Sequence, residues 1–370
     1  MVDFSYNILF AVVGGVLLSV ATSFHLYVKG RITGMSGIFY GLISYERKNF
    51  HWKISLVCAM IITSVIFFQV FGDRNIYADP EKDIAFFDRS NRDLSLGGFI
   101  VAGLFTGFGT KMGNGCTSGH GLCGLPRFAI RSYVNMACFI LMAVGTATLK
   151  YYYPFLDEEY YMGTIERSDL SWAFLAAAIF VASAFFIYHS CVRRDKDKTI
   201  DIVIAFITGG IFALGLLVSG MTKRSKILNF LQMKEGWDPS LLFVLLTGSG
   251  LNFLSFNYII HHVKTPLLCP KLEIPTNKKI DWKLILGGLT FGIGWGLGGL
   301  CPGPGYTLLP IFYPEVFFLW FGGLACGQYL AVGIDKIVSG GAMKKVLSSN
   351  SVNNGGNSGN IPKEERINAK

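Results

Sequence analysis

The sequence predicts an all-α polytopic membrane protein, and three observations carry that fold class. Apolar residues make up 51% of the chain and charged residues only 15%, with a mean hydropathy of +0.45; soluble domains carry about a quarter charged residues. Apolar runs of about 20 residues recur from end to end, each long enough to cross a hydrocarbon core of about 30 Å as a helix. One glycine-rich pattern ending in cysteine occurs twice.

About nine transmembrane helices are expected, over residues 8–28, 53–72, 94–112, 128–149, 169–190, 200–221, 239–261, 282–300 and 315–338. The first run follows a start with neither a basic n-region nor a small-residue cleavage site, so no cleaved signal is expected. Loops after odd-numbered spans hold Lys29, Arg31, Arg47, Lys48, Arg127, "RRDKDK" and Lys264 to Lys279, whereas "DPEKD" and "LDEEYY" follow even-numbered ones. The group around Lys223, Arg224, Lys226 and Lys234 breaks that pattern. By the positive-inside rule the N-terminus lies outside and the C-terminus in the cytoplasm, with the plasma membrane as the expected location. The net charge of +9 is thereby explained without a nucleic-acid partner.

The repeat relates "VAGLFTGFGTKMGNGC" (101–116) to "LGGLTFGIGWGLGGLC" (286–301) at an offset of 185 residues, with Gly103, Leu104, Gly107, Gly109, Gly113 and Cys116 matched by identical residues. A weaker echo pairs "TGMSG" (33–37) with "SGMTK" (219–223) at nearly the same spacing from the cysteine. The expected organisation is a single transport domain over 1–338: a first half at about 8–150, a linking span at 169–190 and a second half at about 200–338. Five spans separate the third from the eighth, so the copies run in opposite directions, the inverted-repeat plan of many transporters. Short apolar pieces at 31–44, 225–233, 122–130 and 306–313 read as re-entrant half-helices. Residues 339–370, polar and low in complexity, are expected to be a disordered tail.

The two cysteine loops, "GNGCTSGHG" and "GGLCPGPG", carry the chemistry. Glycine lets backbone N–H groups converge on an anion, and a thiol is a weak donor with polarizable sulfur, so the loops suit a soft, sulfur-bearing anion. The glycines at 103/107, 288/292 and 294/298 have the small-xxx-small spacing of close helix packing. His120 fits a proton acceptor, an anion contact or, in the favoured reading, a group that orders its loop. Lys111 and Arg131 fit both anion attraction and snorkelling. Cys58, Cys138, Cys191, Cys269 and Cys326 read as packing or free thiols. No metal site is read from Cys116, His120 and Cys123, which lack a fourth ligand, and "GIGWGLGG" lacks the βαβ setting and lysine of a nucleotide loop. No cofactor is expected.

At "NGCTSGHGLCGLPRFAIRS" (114–132), "GWGLGGLCPGPG" (294–305) and "LVSGMTKRSKILNFLQMKEGWDPSLLFV" (217–244) the chain resembles the YeeE/YedE family of sulfur-compound transporters over about residues 8–338. The resemblance implies an hourglass-like permease, not an enzyme, in which thiols hand thiosulfate or a related ion across the bilayer. By it Cys116 and Cys301 are relay thiols, and Gly115, Thr117, Ser118, Gly119, His120, Pro302, Gly303 and Gly305 shape the loops. The thiosulfate-importing branch has a further cysteine in the early loop. Here "GRITGMSG" has none, which leaves Thr33, Met35 or Ser36 in its place. A soluble sulfur-carrier or sulfurtransferase protein would be a natural partner. The alternatives are a membrane-embedded sulfurtransferase or thiol redox protein using Cys116 as a persulfide or disulfide site, and a purely structural scaffold.

Overall fold

The computed structural model describes residues 4–71, 92–159, 169–235, 237–309 and 314–354. Its helices fall into two series. The first comprises α1 (Phe4–Lys29), the short α2 (Met35–Ile43), α3 (Phe50–Phe71), α4 (Leu96–Met112), a helical turn Thr117–Leu122, and α5 (Ile130–Tyr152). After α6 (Asp169–Ile187) the second comprises α7 (Lys196–Ser219), the short α8 (Arg224–Leu231), α9 (Ser240–Tyr258), α10 (Trp282–Gly298), the short α11 (Pro302–Leu308) and α12 (Pro314–Asn354). A three-residue antiparallel pair, Arg92–Leu94 with Asp157–Glu159, joins the ends of α4 and α5.

Among the described residues, eight helical stretches are long and apolar enough to cross a bilayer. The remaining expected span, α4, has 17 residues, at the short end of what spans a membrane. The chain is thus an all-α, multi-pass membrane protein. Its charged helix starts are capped: Asp195 accepts from the Lys198 amide of α7 and Asp281 from the Leu284 amide of α10, each at 3.1 Å, as Ser95 does for Gly98 of α4. Each cap satisfies a backbone donor that the first turn leaves open.

The packing repeats when the series are exchanged. α4 packs on α10; α4 on α12 is matched by α10 on α5, and α1 on α9 by α7 on α3. The glycines show the same register. A Cβ at Gly109 would lie 2.7 Å from the Gly287 carbonyl oxygen, and one at Gly294 2.7 Å from that of Ala102. Gly103 and Gly107 abut Trp320 and Leu324, while Gly288 and Gly292 abut Asn135 and Phe139. All these pairs keep the offset of 185, so the glycines bring helix backbones together, as the small-residue spacing implied. α6 lies outside this frame, against α3 and, more lightly, α7.

Three expectations need correction. The short helices at the cysteine loops span Thr117–Leu122 and Pro302–Leu308, not 122–130 and 306–313, because each starts directly at its cysteine; 310–313 lie outside the described residues. The start of the supposed tail is helical, since α12 runs on to Asn354 through "AMKKVL", good helix formers; 355–370 lie outside the described residues. The Gly-Met echo is not conformational: Gly34 is extended ahead of α2, whereas Gly220 is the left-handed C-cap of α7 with φ 72°.

Candidate functional site

Each cysteine sits at the hinge between a long helix and a short one. Two residues past the end of α4, Asn114 has φ 60°, and its repeat mate Gly299, directly past α10, has φ 62°; Asn and Gly are the residues that tolerate this left-handed turn. Two residues on, Cys116 (φ −127°) and Cys301 (φ −114°) are extended and open the short helices. Their carbonyls accept from the amides of His120 and Gly305, both at 2.9 Å. The two thiols are therefore presented by the same local geometry.

Both are buried, and both line one cavity of about 100 Å³. Thr117 Oγ1 lies 3.3 Å from Cys301 Sγ, so one loop touches the other's thiol, and Cys116 Sγ lies 3.2 Å from Ser118 Oγ. Ser118 Oγ also accepts from the Met35 amide at 3.1 Å, which ties the start of α2 to the first loop. Met35, Met136 and Met221 line the cavity with Phe139, Phe212 and Trp295; among the described residues no charged side chain does. Met35 opens α2, and Met221 lies in the corresponding α7–α8 connection of the second series. Thiols and thioethers give this chamber a soft, polarizable wall.

A second, polar cavity of about 350 Å³ adjoins it across the first loop, with Gly115, Gly119 and His120 on its wall. Arg31, Lys53, Lys111, Arg127 and Arg131 line it, against Glu273 as the one acidic residue of its lining among the described residues. Arg31 is held from behind: its Nη1 donates to both oxygens of buried Asp201 at 2.8 Å, which also faces His51 Nε2 at 3.0 Å and Lys29 Nζ at 3.3 Å. Burial works against the Arg31 charge, but the Asp201 bond and field outweigh it and raise its pKa. The result is a cationic vestibule with a preorganised guanidinium.

His120 spans the loop. Its Nε2 donates to the Gly113 carbonyl at 3.1 Å, which leaves Nδ1 to accept from Ser132 Oγ at 3.0 Å. Both ring nitrogens are taken, fixing the loop between the end of α4 and the start of α5.

The structure brings Cys116, Thr117, Ser118, Met35, Cys301 and Gly303 to the inner cavity and Gly115, Gly119, His120 and Ser36 to the vestibule. Pro302 and Gly305 are buried within α11, Gly305 facing Trp320 and Phe321. Thr33 turns away, with its hydroxyl 3.0 Å from His25 Nδ1. Of the three early-loop candidates, only Met35 reaches the thiols' cavity. Met221, Met136, Trp295 and the Asp201 cluster were missed by the sequence reading. Met221 was within reach, as half of the Gly-Met echo; the others carry no motif. Among the described residues no three His, Cys, Asp or Glu side chains gather as a metal site.

A chain with two such loops between repeated helix series belongs among membrane transporters, and its relatives agree. Residues 5–148 match the family described as Sulphur transport, and residues 200–316 a family of unknown function. Two proteins of Xylella fastidiosa, each described as "Probable transporter", are 35% identical over 134 residues (strain Temecula1) and 38% over 133 residues (strain 9a5c). The matched regions are 89% and 90% of those proteins but 36% of this chain, so each relative has about the length of one helix series. A second protein of strain Temecula1 is 36% identical over 141 residues, 92% of its length and 38% of this chain. No solved structure matches. The chain belongs to the YeeE/YedE sulfur-transport family.

Proposed function

We propose that this protein is a permease that passes a small inorganic sulfur anion, thiosulfate first among them, across the plasma membrane between the thiols of Cys116 and Cys301. The observation that carries the reading is the meeting of the two repeat-related thiols in one buried cavity beside a cationic vestibule. The vestibule gathers anions by charge. The inner chamber offers no charge to trap them, only S–H and O–H donors and soft sulfur, so contacts stay weak enough for release. Thr117 and Ser118 place hydroxyls beside the thiols, Met35 stands where the early-loop cysteine of the family is absent, and His120 and the glycines hold the loop. The two helix series act as the halves of an inverted repeat about this chamber, with α6 as the link that lets one chain supply both.

The sulfurtransferase reading needs a base to make Cys116 a thiolate. The neighbouring His120 has both nitrogens engaged elsewhere, so the geometry favours passage over covalent chemistry. Uptake of labelled thiosulfate into vesicles carrying the wild-type protein, Cys116→Ala or Cys301→Ala tests the proposal. Wild-type uptake with strong loss in both variants is expected; uptake indifferent to both substitutions removes the relay.

A further inference from the structure

We infer that Ser64 of α3 and Ser249 of α9 are positioning residues for the two thiols, each holding in place the short helix that starts at the thiol of the opposite half. The inference rests on the reading of Cys116 and Cys301 as the passage, and it adds what sets their positions. Ser249 Oγ donates to the Gly121 carbonyl at 3.0 Å, within the turn that Cys116 opens, and Ser64 Oγ donates to the Thr307 carbonyl, within the helix that Cys301 opens. The two serines are repeat mates at the offset of 185, and their acceptors keep that offset to within one position. Each bond joins one helix series to the other, across 128 residues in one case and 243 in the other.

Both acceptors lie near the C-terminal end of a short helix, where carbonyls run out of partners within the helix. Gly121, Thr307 and Ser64 are buried, so the partner must come from the protein. A serine hydroxyl has one proton to give, and here it goes to the short helix of the opposite half. At its other end each short helix follows a left-handed residue, Asn114 or Gly299, that belongs to its own half. The thiol therefore stands between an own-half hinge and an opposite-half anchor, and its place depends on how the two halves sit against each other.

The first loop has further anchors on α9. Asn252 Nδ2 donates to the Leu122 carbonyl at 2.7 Å and Asn257 Nδ2 to that of Pro126 at 3.1 Å. Asn252 is itself gripped from α1, its Oδ1 accepting from Ser19, Thr22 and Ser23 at 2.8, 3.2 and 2.9 Å. The repeat mate of Asn252 is Phe67, which has no donor to offer α11. Cys301 thus depends on its serine more than Cys116 does.

Alkylation of the full chain by N-ethylmaleimide in detergent, followed peptide by peptide by mass spectrometry, gives the rate at each thiol, and vesicles give the uptake of labelled thiosulfate. In Ser64→Ala the Cys301 rate is expected to rise about five- to tenfold, the factor for one lost buried hydrogen bond, with the Cys116 rate unchanged and uptake reduced. In Ser249→Ala the rise falls on Cys116 and is smaller, because Asn252 still holds the turn. Ser249→Thr, which keeps the hydroxyl at a half-buried position, should match the wild type. A hydroxyl that only satisfies a carbonyl gives another pattern, a lower melting temperature with both thiols reacting faster alike. That pattern, a change at the thiol of the serine's own half, or no change at either thiol overturns the assignment, and with wild-type uptake intact it leaves the permease reading standing. Crosswise rates in a chain that takes up no thiosulfate uphold the two serines and overturn the permease reading. Should Ser64→Ala fail to assemble, Ser249→Ala carries the same crosswise test by itself.

Discussion

Alanine at Gly109 and at Gly294 should destabilise the protein by similar amounts, because the two residues occupy mirrored places where α4 meets α10. The new Cβ would stand 2.7 Å from the Gly287 carbonyl oxygen in one case and 2.7 Å from the Ala102 carbonyl oxygen in the other, and at Gly109 also 2.5 Å from Phe291 Cα. Comfortable contact begins at about 3.5 Å, and the backbone nitrogens of Phe291 and Thr106 stand closer still, so the helices must part by about an ångström or more. The obstructing atoms are backbone and have no rotamer to adopt. Overpacking of this kind costs about 1–3 kcal/mol, and the roughly 1 kcal/mol that Ala gains over Gly in a helix offsets only part of it. Gly145 and Gly322, in α5 and α12, would put a Cβ into open space; alanine there should leave stability unchanged or raise it. Melting temperatures of the four variants in one detergent decide the matter. Equal behaviour of all four, or damage at 145 and 322 with none at 109 and 294, would refute the mirrored packing.

Asp201→Ala removes the carboxylate that Arg31, His51 and Lys29 share, and leaves the buried Lys29 ammonium facing Arg31, which keeps the exposed Glu273. A loss of about 3–5 kcal/mol is expected, read as a large drop in melting temperature, with Asp201→Glu retaining part of the stability. His120→Ala frees the Gly113 carbonyl and the Ser132 hydroxyl, at about 1–3 kcal/mol. Its effect on uptake should exceed that of His120→Gln, which can still donate to Gly113. Arg31→Gln should weaken thiosulfate uptake at low salt more than at high salt, since the vestibule acts through screened charge; a salt-independent loss would place Arg31 outside the entry path.

How much of this was legible in the sequence depended on whether a feature leaves a pattern along the chain. Lipid-facing helices leave long apolar runs, so the spans were readable. Four of the six matching positions between 101–116 and 286–301 are glycines, and at Gly103, Gly107 and Gly109 and their mates a neighbouring helix backbone comes too close for a side chain, so the repeat survived there. It was misleading at Gly34 and Gly220, where the same dipeptide serves an extended entry in one half and a helix cap in the other. Trp295 and Met136 could not be singled out, because an aromatic or apolar residue inside a span looks alike whether it meets lipid, core or cavity. The Asp201 cluster joins residues up to 172 positions apart, and no local spacing announces it. The short helices were displaced because apolarity marks where a segment is buried, whereas the cysteines' extended backbone marks where it begins.

The central claim is that Cys116 and Cys301 face one passage that a sulfur anion occupies. Alkylation of the two thiols by N-ethylmaleimide, followed by peptide mass spectrometry as thiosulfate is added, tests it most directly. The expected result is that both thiols are shielded together, at the same thiosulfate concentration, while sulfate shields neither. Protection of one thiol without the other, or rates that ignore thiosulfate, would contradict it.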